Sequence, residues 1–281
     1  MASLFESLLG KPSKKRSIPI VIGINQVDNM GPWNNKIGLP TPETEQEIQA
    51  RVKDIISKLS LGSTVIKRDQ IEYYSALRAY RLHDMLAKLA KYSKPETIIP
   101  NHAVEITDPD VFPDMLEDVR KYIQAGIDKI NKEFERMNFD RLVDEMGEGL
   151  SDEERKTLTN AWKAKKSETL KIGIIGKTGV GKTTTVNRLF QAKFVTSRTF
   201  VGTTEAQYKD FKLPDGGNLT IIDMPGYGRS IKEDEEYKKI YLNELPKCDV
   251  ILLIVQGNSS DLKDDQMMIK TIEEWAKAGL I

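Results

Sequence analysis

The octapeptide GKTGVGKT at Gly176–Thr183 matches the pattern G-x-x-x-x-G-K-[ST] of a nucleotide-binding phosphate loop. It follows the apolar strand candidate Leu170–Ile175 and opens the helix candidate Thr183–Phe190, which is the context that the pattern requires. Glycines allow the backbone N–H groups to curl around phosphate oxygens, and the helix N-terminus adds partial positive charge. The sequence therefore predicts a phosphate-binding site here, with a chance glycine turn as the alternative.

Two side chains of this phosphate loop have expected roles in binding nucleotide and metal. Lys182 is expected to reach the β- and γ-phosphates, and the Thr183 hydroxyl is expected to ligate Mg²⁺. The predicted nucleotide-binding residues of this segment are Gly176, Lys177, Thr178, Gly179, Val180, Gly181, Lys182, Thr183 and Thr184.

A second motif, Asp223-Met-Pro-Gly226, directly follows the strand candidate 219–223. The carboxyl ends of strands are where α/β folds bind ligands, so Asp223 is expected to hold Mg²⁺, usually through a water. The Gly226 amide is expected to sense a γ-phosphate. Thr203-Thr204 lies in a polar loop, where Thr204 is our candidate for closing over the metal and γ-phosphate, and a surface threonine pair is the alternative. The predicted metal ligands are Thr183, Thr204 and Asp223, and the predicted catalytic residues are Lys182, Thr204 and Gly226.

Two further motifs, each weak alone, together fit recognition of a guanine base. Asn25-Gln26-Val27-Asp28 follows the run IPIVIGI, and Ser75-Ala76-Leu77 follows IEYY. The Asp28 carboxylate can accept hydrogen bonds from guanine N1–H and the exocyclic amine, and the Ala76 amide can donate to O6. Adenine presents the opposite pattern, which disfavours an ATPase. The predicted base-site residues are Asn25, Gln26, Asp28, Ser75, Ala76 and Leu77.

Composition excludes several classes of protein. The 281 residues include 42 Lys+Arg and 42 Asp+Glu, so no overall basic field favours nucleic acid, and we expect no specific DNA binding. The single cysteine, Cys248, excludes a disulfide framework and is predicted to lie in the core. With no transmembrane or secretory pattern, the predicted localisation is cytoplasmic. Leu4, Phe5, Leu8 and Leu9, beside lysines, leave a weak peripheral membrane contact open.

Strand and helix candidates alternate at both ends of the chain, in residues 1–95 and 168–281. The strand candidates are 18–24, 71–74, 170–175, 207–213, 219–223 and 250–255. The helix candidates are 42–59, 82–89, 183–190, 234–245 and 264–278. This alternation predicts an α/β fold with a mainly parallel sheet covered on both faces. Residues 96–167 are predicted to be a small helical connecting segment with no assigned chemistry.

The five motifs resemble those of the translation-factor-related class of P-loop GTPases, and of its Era-like branch in particular. The stretches IIDMPGYGRS, EDEEYKKIYLNELPKCDVILLIVQG and IGINQVDNMGPWNN are similar to those of bacterial Era-like GTPases described as ribosome-binding. The resemblance implies a three-layer G domain with a six-stranded sheet. It also implies binding of GTP, GDP and Mg²⁺, and slow GTP hydrolysis as a molecular switch.

The order of the motifs departs from that family, because the base motifs precede the phosphate motifs. Two strands before residue 95 and four after residue 168 add up to the six of a single G domain. We therefore predict a circularly permuted G domain of residues about 18–93 and 168–281, joined through the helical segment. The alternative is that each half completes a different chain in a swapped oligomer.

Individual side chains depart from the family as well. Gln26 stands where the family pattern N-K-x-D has lysine, which implies weaker packing on the base. Tyr227 follows DMPG where Ras-like proteins have a water-orienting glutamine, and Gly179 stands where many Era-like members have a potassium-binding asparagine. Both differences imply slow unaided hydrolysis. Arg198 and Arg229 lie in the expected switch loops, where a solvated arginine is the favoured interpretation and stabilisation of γ-phosphate charge is the alternative.

The sequence thus favours a GTP-hydrolysing switch that binds guanine nucleotide, with the ribosome or a second copy of itself as candidate partners. The alternative is a nucleotide-dependent self-assembling module of the septin or dynamin kind, in which turnover is incidental. In that case the helical segment 96–167 would form the contact surface.

Overall fold

A computed structural model describes residues 18–34, 38–60, 67–93, most of 151–160, 169–190, 194, 205–212 and 218–281. The described strands are β1 (Ile20–Asn25), β2 (Trp33–Asn34), β3 (Leu39–Pro40), β4 (Ile71–Tyr73), β5 (Thr169–Gly176), β6 (Gln207–Lys212), β7 (Asn218–Asp223) and β8 (Val250–Gln256). The described longer helices are α1 (Pro42–Ser60), α2 (Leu82–Tyr92), α3 (Lys182–Phe190), α4 (Ile231–Glu244) and α5 (Lys263–Lys277).

Six of these strands form one sheet in the order β4-β1-β8-β5-β7-β6. All neighbours are parallel except β6, which pairs antiparallel with β7. The central pairing joins the two ends of the chain, since Ile22 of β1 lies opposite Leu253 of β8. The predicted α/β class with a mainly parallel six-stranded sheet is therefore confirmed, and both parts of the chain contribute strands to it.

The sheet is buried on both faces because its central strands are apolar over most of their length. In β1, Ile20, Ile22 and Ile24 contact the cluster that includes side chains of α1, α4 and α5. Val21 contacts the opposite cluster, which includes side chains of α2 and α3. Each such buried side chain contributes about 1.5–3 kcal/mol relative to exposure. The resulting three layers place the carboxyl ends of the parallel strands at one edge of the sheet.

Helix starts follow local capping chemistry. Thr41 caps the N-terminus of α1, because the Thr44 N–H donates to the Thr41 hydroxyl at 3.3 Å. The predicted start of α4 at residue 234 is wrong, and the helix begins at Ile231. The reason is the Ser230 N-cap, whose hydroxyl accepts from the Glu233 N–H at 3.2 Å.

Some sequence predictions lie outside the described residues. These are the N-terminal apolar set, the Thr203-Thr204 pair, Arg198 and nearly all of the helical segment 96–167, where helical turns are described only in parts of 152–160. Within the described part, no helix is both long enough and apolar enough to cross a bilayer. Cys248 is buried as predicted, and burial raises the pKa of its thiol to about 12.

Candidate functional site

The phosphate loop connects the end of β5 to the start of α3, and Lys182 lies at its base. The Lys182 ammonium is buried and donates to the backbone carbonyls of Gly176 and Lys177, both at 3.1 Å. Burial lowers the pKa of Lys182 to about 8, and the nearby Asp223 carboxylate opposes that shift. The side chain is therefore mostly cationic at neutral pH, and its charged group lies against the backbone of the phosphate loop.

Thr183 and Asp223, both predicted to bind metal, are in direct contact. The Thr183 hydroxyl donates to Asp223 Oδ2 at 2.5 Å. Burial raises the pKa of Asp223, while the Thr183 hydrogen bond and the Lys182 charge lower it. The other oxygen, Asp223 Oδ1, is buried without a hydrogen-bond partner in the described part of the chain. A buried carboxylate oxygen with spare acceptor capacity beside a hydroxyl fits the oxygen ligands that Mg²⁺ requires.

No group of three or more His, Cys, Asp or Glu side chains that could hold a metal occurs among the residues described. Among the described residues, Thr183 and Asp223 therefore offer Mg²⁺ only part of a coordination shell. Mg²⁺ commonly keeps several waters and takes its other ligands from substrate phosphates. The donor set at Thr183 and Asp223 is of this incomplete kind.

The segment Asp223–Gly226 and the following tyrosine lie against the phosphate loop. The Thr178 N–H donates to the Tyr227 carbonyl at 2.9 Å, and the Thr178 hydroxyl donates to the Gly226 carbonyl at 2.9 Å. A Cβ atom on Gly226 would lie 2.6 Å from Lys182 Nζ and 2.8 Å from Thr178 Cα. Only glycine fits this approach, so the backbone at Gly226 lies beside the lysine that is predicted to bind phosphate.

Two contacts from α5 to this site were missed from the sequence. The Tyr227 side chain is buried, and its hydroxyl donates to Asp265 Oδ1 at 2.7 Å. Lys177 of the phosphate loop pairs with Asp264 at 2.8 Å. Burial raises the pKa of Asp265 to about 6, and the Tyr227 hydrogen bond and Lys177 oppose that shift. The Tyr227 hydroxyl is thus engaged by α5.

Asn25, at the end of β1, joins three of the predicted motifs. Its Nδ2 atom donates to the Val180 carbonyl at 2.8 Å, and its Oδ1 atom accepts from the Ala76 N–H at 3.0 Å. The next residue, Gln26, has a left-handed backbone and donates from Nε2 to the Gly179 carbonyl at 2.8 Å. The first base motif is therefore bonded to the phosphate loop and, through Asn25, to the second base motif.

The remaining base-site residues occupy the two turns beyond Asn25. Asp28 is partly buried in a short 3-10 turn, and Leu77 is exposed. The Ser75 hydroxyl accepts from the Arg78 N–H at 3.1 Å. The Ala76 N–H, which the sequence analysis predicts to donate to guanine O6, donates here to Asn25 Oδ1. A buried N–H group needs an acceptor, and Asn25 supplies one within the protein.

The structure brings together several of the site residues that the sequence predicts. Lys182, Thr183, Asp223 and Gly226 lie together, and the phosphate loop that contains two of them is bonded to Asn25 and Gln26. Thr204, the third predicted metal ligand, lies outside the described residues. Arg229 pairs with Glu233 of α4 at 3.4 Å.

The last part of the chain, residues 171–281, matches the family model described as 50S ribosome-binding GTPase. The chain is also similar to two Escherichia coli (strain K12) proteins of uncharacterized function, YfjP and YkfA. It is 33% identical to YfjP over 102 residues, which are 36% of this chain and 35% of YfjP. It is 34% identical to YkfA over 96 residues, which are 34% of this chain and 33% of YkfA.

A third relative is the GTPase Der of Clostridium acetobutylicum, at 32% identity over 118 residues, which are 41% of this chain and 27% of Der. The chain spans about a third of the length of the curated relatives it matches. Among solved structures, the G domain of the T. maritima FeoB iron transporter is similar with a TM-score of 0.28 and 25% identity, over 38% of this chain and 66% of that one.

Proposed function

We propose that this chain, which has the G-domain fold of P-loop GTPases, binds GTP and GDP with Mg²⁺ and hydrolyses GTP slowly as a molecular switch. One observation carries the proposal, namely the two hydrogen bonds of Asn25. They connect the phosphate loop at Val180 with the second base motif at Ala76. A single pocket can then offer phosphate-binding and base-binding groups to one nucleotide.

We also infer that the G domain is circularly permuted, so that residues about 18–93 and 168–281 together form one composite domain. In support, β1 and β4 extend the sheet beyond β8, although they precede the phosphate loop in the chain. The family model matches only residues 171–281, where the phosphate motifs lie. The base motifs are supplied from the other part of the chain, in keeping with the Era-like resemblance of the motifs themselves.

The phosphate end of the proposed site uses Lys182, Thr183, Asp223 and Gly226. Lys182 would exchange part of its bonding to the loop carbonyls for the β- and γ-phosphates. Thr183 and Asp223, with Thr204 as a further candidate, would hold Mg²⁺, which neutralises phosphate charge when bound. The Gly226 amide would sense the γ-phosphate, and its position beside Lys182 supports this role.

The base end uses Asp28 to accept from guanine N1–H and the 2-amino group. The Ala76 N–H would turn from Asn25 to O6 or be shared between them, and Ser75 and Leu77 complete this turn. Gln26 bonds to the loop at Gly179, and its short stem covers less of the base than a lysine stem would. We therefore expect guanine selectivity with modest affinity.

Slow hydrolysis is proposed because the side chain that directly follows Gly226 is not available to orient a water. Tyr227 stands where Ras-like proteins have a water-orienting glutamine, but its hydroxyl is hydrogen-bonded to Asp265 in the core. Ribosome binding is proposed from the family description alone. The self-assembly alternative gains no support from the family model or from the relatives named above.

The decisive experiment is Asp28→Asn, with labelled GDP displaced by GTP, XTP and ATP. The asparagine would place an NH₂ donor opposite the guanine amine, which costs about 1–3 kcal/mol, or about five- to a hundredfold in affinity. Xanthine has a carbonyl at that position, so the variant is expected to bind GTP more weakly and XTP more tightly than the parent does.

The matched control is Asp54→Asn, the same chemical change on a partly exposed carboxylate of α1 that pairs with Lys58. It is expected to keep the parent's preference. Unchanged guanine preference in Asp28→Asn would remove Asp28 from the base site, and the permuted domain would lose its main functional support.

A further inference from the structure

The turn that carries the second base motif is closed by its own backbone. The Ser75 N–H donates to the Tyr80 carbonyl at 3.0 Å, and the Tyr80 N–H donates to the Ser75 carbonyl at 3.1 Å. Between and beyond them, Ala79 and Arg81 adopt left-handed backbone angles, with φ of 54° and 56°. Side chains with a Cβ disfavour this region, so the turn needs support from outside itself.

The Tyr80 side chain provides one such support. It is buried, and its hydroxyl donates to Glu45 Oε2 at 2.6 Å. Its ring contacts Trp33 edge to face, with centroids 5.2 Å apart, and the Arg78 guanidinium lies 4.9 Å from the centroid of the Trp33 ring. Trp33 belongs to β2, a few residues after the first base motif, so this aromatic contact links Tyr80 to the segment that follows that motif.

Glu45 is held rigidly in the first turn of α1. Its Oε1 atom accepts from the Tyr73 hydroxyl at 2.9 Å and from Gln49 Nε2 at 3.0 Å. The start of the helix is bound to the preceding loop, because the Thr44 hydroxyl donates to the Pro32 carbonyl at 2.9 Å. Burial raises the pKa of Tyr73 to about 12, so its hydroxyl remains a donor at neutral pH.

We propose that Glu45 is a positioning residue for base recognition: by holding Tyr80, it fixes the turn whose Ala76 N–H donates to Asn25 and is proposed to be shared with purine O6, and so sets how strongly the pocket reads O6. This inference rests on the proposed function, because it assumes that the turn faces a guanine base. Glu45 itself does not touch the base. A purely structural contact would stabilise the fold without changing which purine is preferred.

The test compares Tyr80→Phe with Tyr73→Phe, since each removes one hydroxyl from the same carboxylate. Tyr80 belongs to the base-site turn, whereas Tyr73 belongs to β4. Affinities are measured for GDP, 6-thio-GDP and IDP, together with the thermal unfolding midpoint. Sulfur at position 6 changes the acceptor that would face the Ala76 N–H, and IDP lacks the 2-amino group assigned to Asp28.

The parent is expected to prefer GDP over 6-thio-GDP by about two- to tenfold, the range of one neutral hydrogen bond. In Tyr80→Phe this ratio is expected to fall toward one while the GDP-to-IDP ratio stays as in the parent. Tyr73→Phe is expected to keep both ratios even if it unfolds at a lower temperature. If Tyr80→Phe does not fold, Glu45→Gln replaces it as the test variant, because it removes one acceptor oxygen. The GDP-to-6-thio-GDP ratio is then expected to fall while the GDP-to-IDP ratio stays as in the parent.

An unchanged GDP-to-6-thio-GDP ratio in Tyr80→Phe would overturn the inference, as would an equal fall in Tyr73→Phe. A parent that binds GDP and 6-thio-GDP equally would overturn it too, while the Asp28→Asn reversal would still test guanine binding independently. A parent that binds none of the three nucleotides would overturn the proposed function and the inference together.

Discussion

Replacing Asp265 by asparagine is expected to stabilise the folded chain at neutral and alkaline pH. Asp265 is 1% exposed, and burial raises its pKa to about 6 from a usual value of 3.8. A raised pKa means that the folded state favours the protonated carboxyl of Asp265. The contribution of this preference to the free energy of unfolding is therefore present in full below about pH 4. It is lost as the pH rises through about 6.

The magnitude follows from the size of that shift. About two pH units correspond to about 3 kcal/mol of folding free energy above pH 6. The asparagine carries no charge and keeps an oxygen that can accept from the Tyr227 hydroxyl. The gain is therefore expected to approach about 3 kcal/mol near pH 8 and to vanish near pH 4.

The assay is urea unfolding of parent and variant at about pH 4, 6 and 8 and constant salt, followed by circular dichroism. The control is Asp264→Asn, whose partly exposed carboxylate pairs with Lys177. It is expected to change stability by under about 1 kcal/mol at each of these pH values. A variant at Asp265 that is less stable than the parent at pH 8, or a difference that ignores pH, would refute the reasoning.

Three further outcomes are expected of the proposed nucleotide site. Lys182→Ala should strongly lower the affinity for GTP and GDP, while circular dichroism shows that the fold is intact. Tight binding of labelled GDP by that variant would count against the assigned role of the phosphate loop. Asp223→Ala should make GTP binding insensitive to chelation of Mg²⁺, whereas chelation should weaken binding by the parent; equal sensitivity would exclude Asp223 as a ligand. Single-turnover hydrolysis should run at roughly 10⁻⁴–10⁻² s⁻¹. Exchange of K⁺ for Na⁺ should change the rate little, because Gly179 has no side chain to ligate potassium; a large stimulation by K⁺ would contradict this.

Much of the fold was predictable because its signals are local. The apolar runs of β1, β5 and β8 and the glycines of the phosphate loop identify their elements from neighbouring residues alone. The sheet order could be expected only through the resemblance of the motifs to a known family. Periodicity alone placed one helix start too late, because the Ser230 N-cap begins α4 earlier than periodicity indicated.

Contacts between distant segments could not be predicted in the same way. Tyr227 reaches Asp265 and Lys177 reaches Asp264 only because β8 lies beside β5 and delivers α5 to the phosphate loop. Nothing in the local sequence of these four residues indicates a partner. The hydrogen bond from Ala76 to Asn25 is similar, since a motif shows which groups are present but not which acceptor each uses within the folded protein.

The pairing of β1 with β8 has a consequence for the synthesis of the chain. Ile20 and its partner Ile251 are about 230 residues apart, so β1 leaves the site of translation long before β8 exists. At about 5–20 residues per second, the edge of β1 that β8 will cover waits about 10–50 s. An apolar strand with an open edge can pair with other chains, and distant pairings form slowly. The newly made chain is therefore expected to aggregate most readily during this interval, when chaperones would help it most.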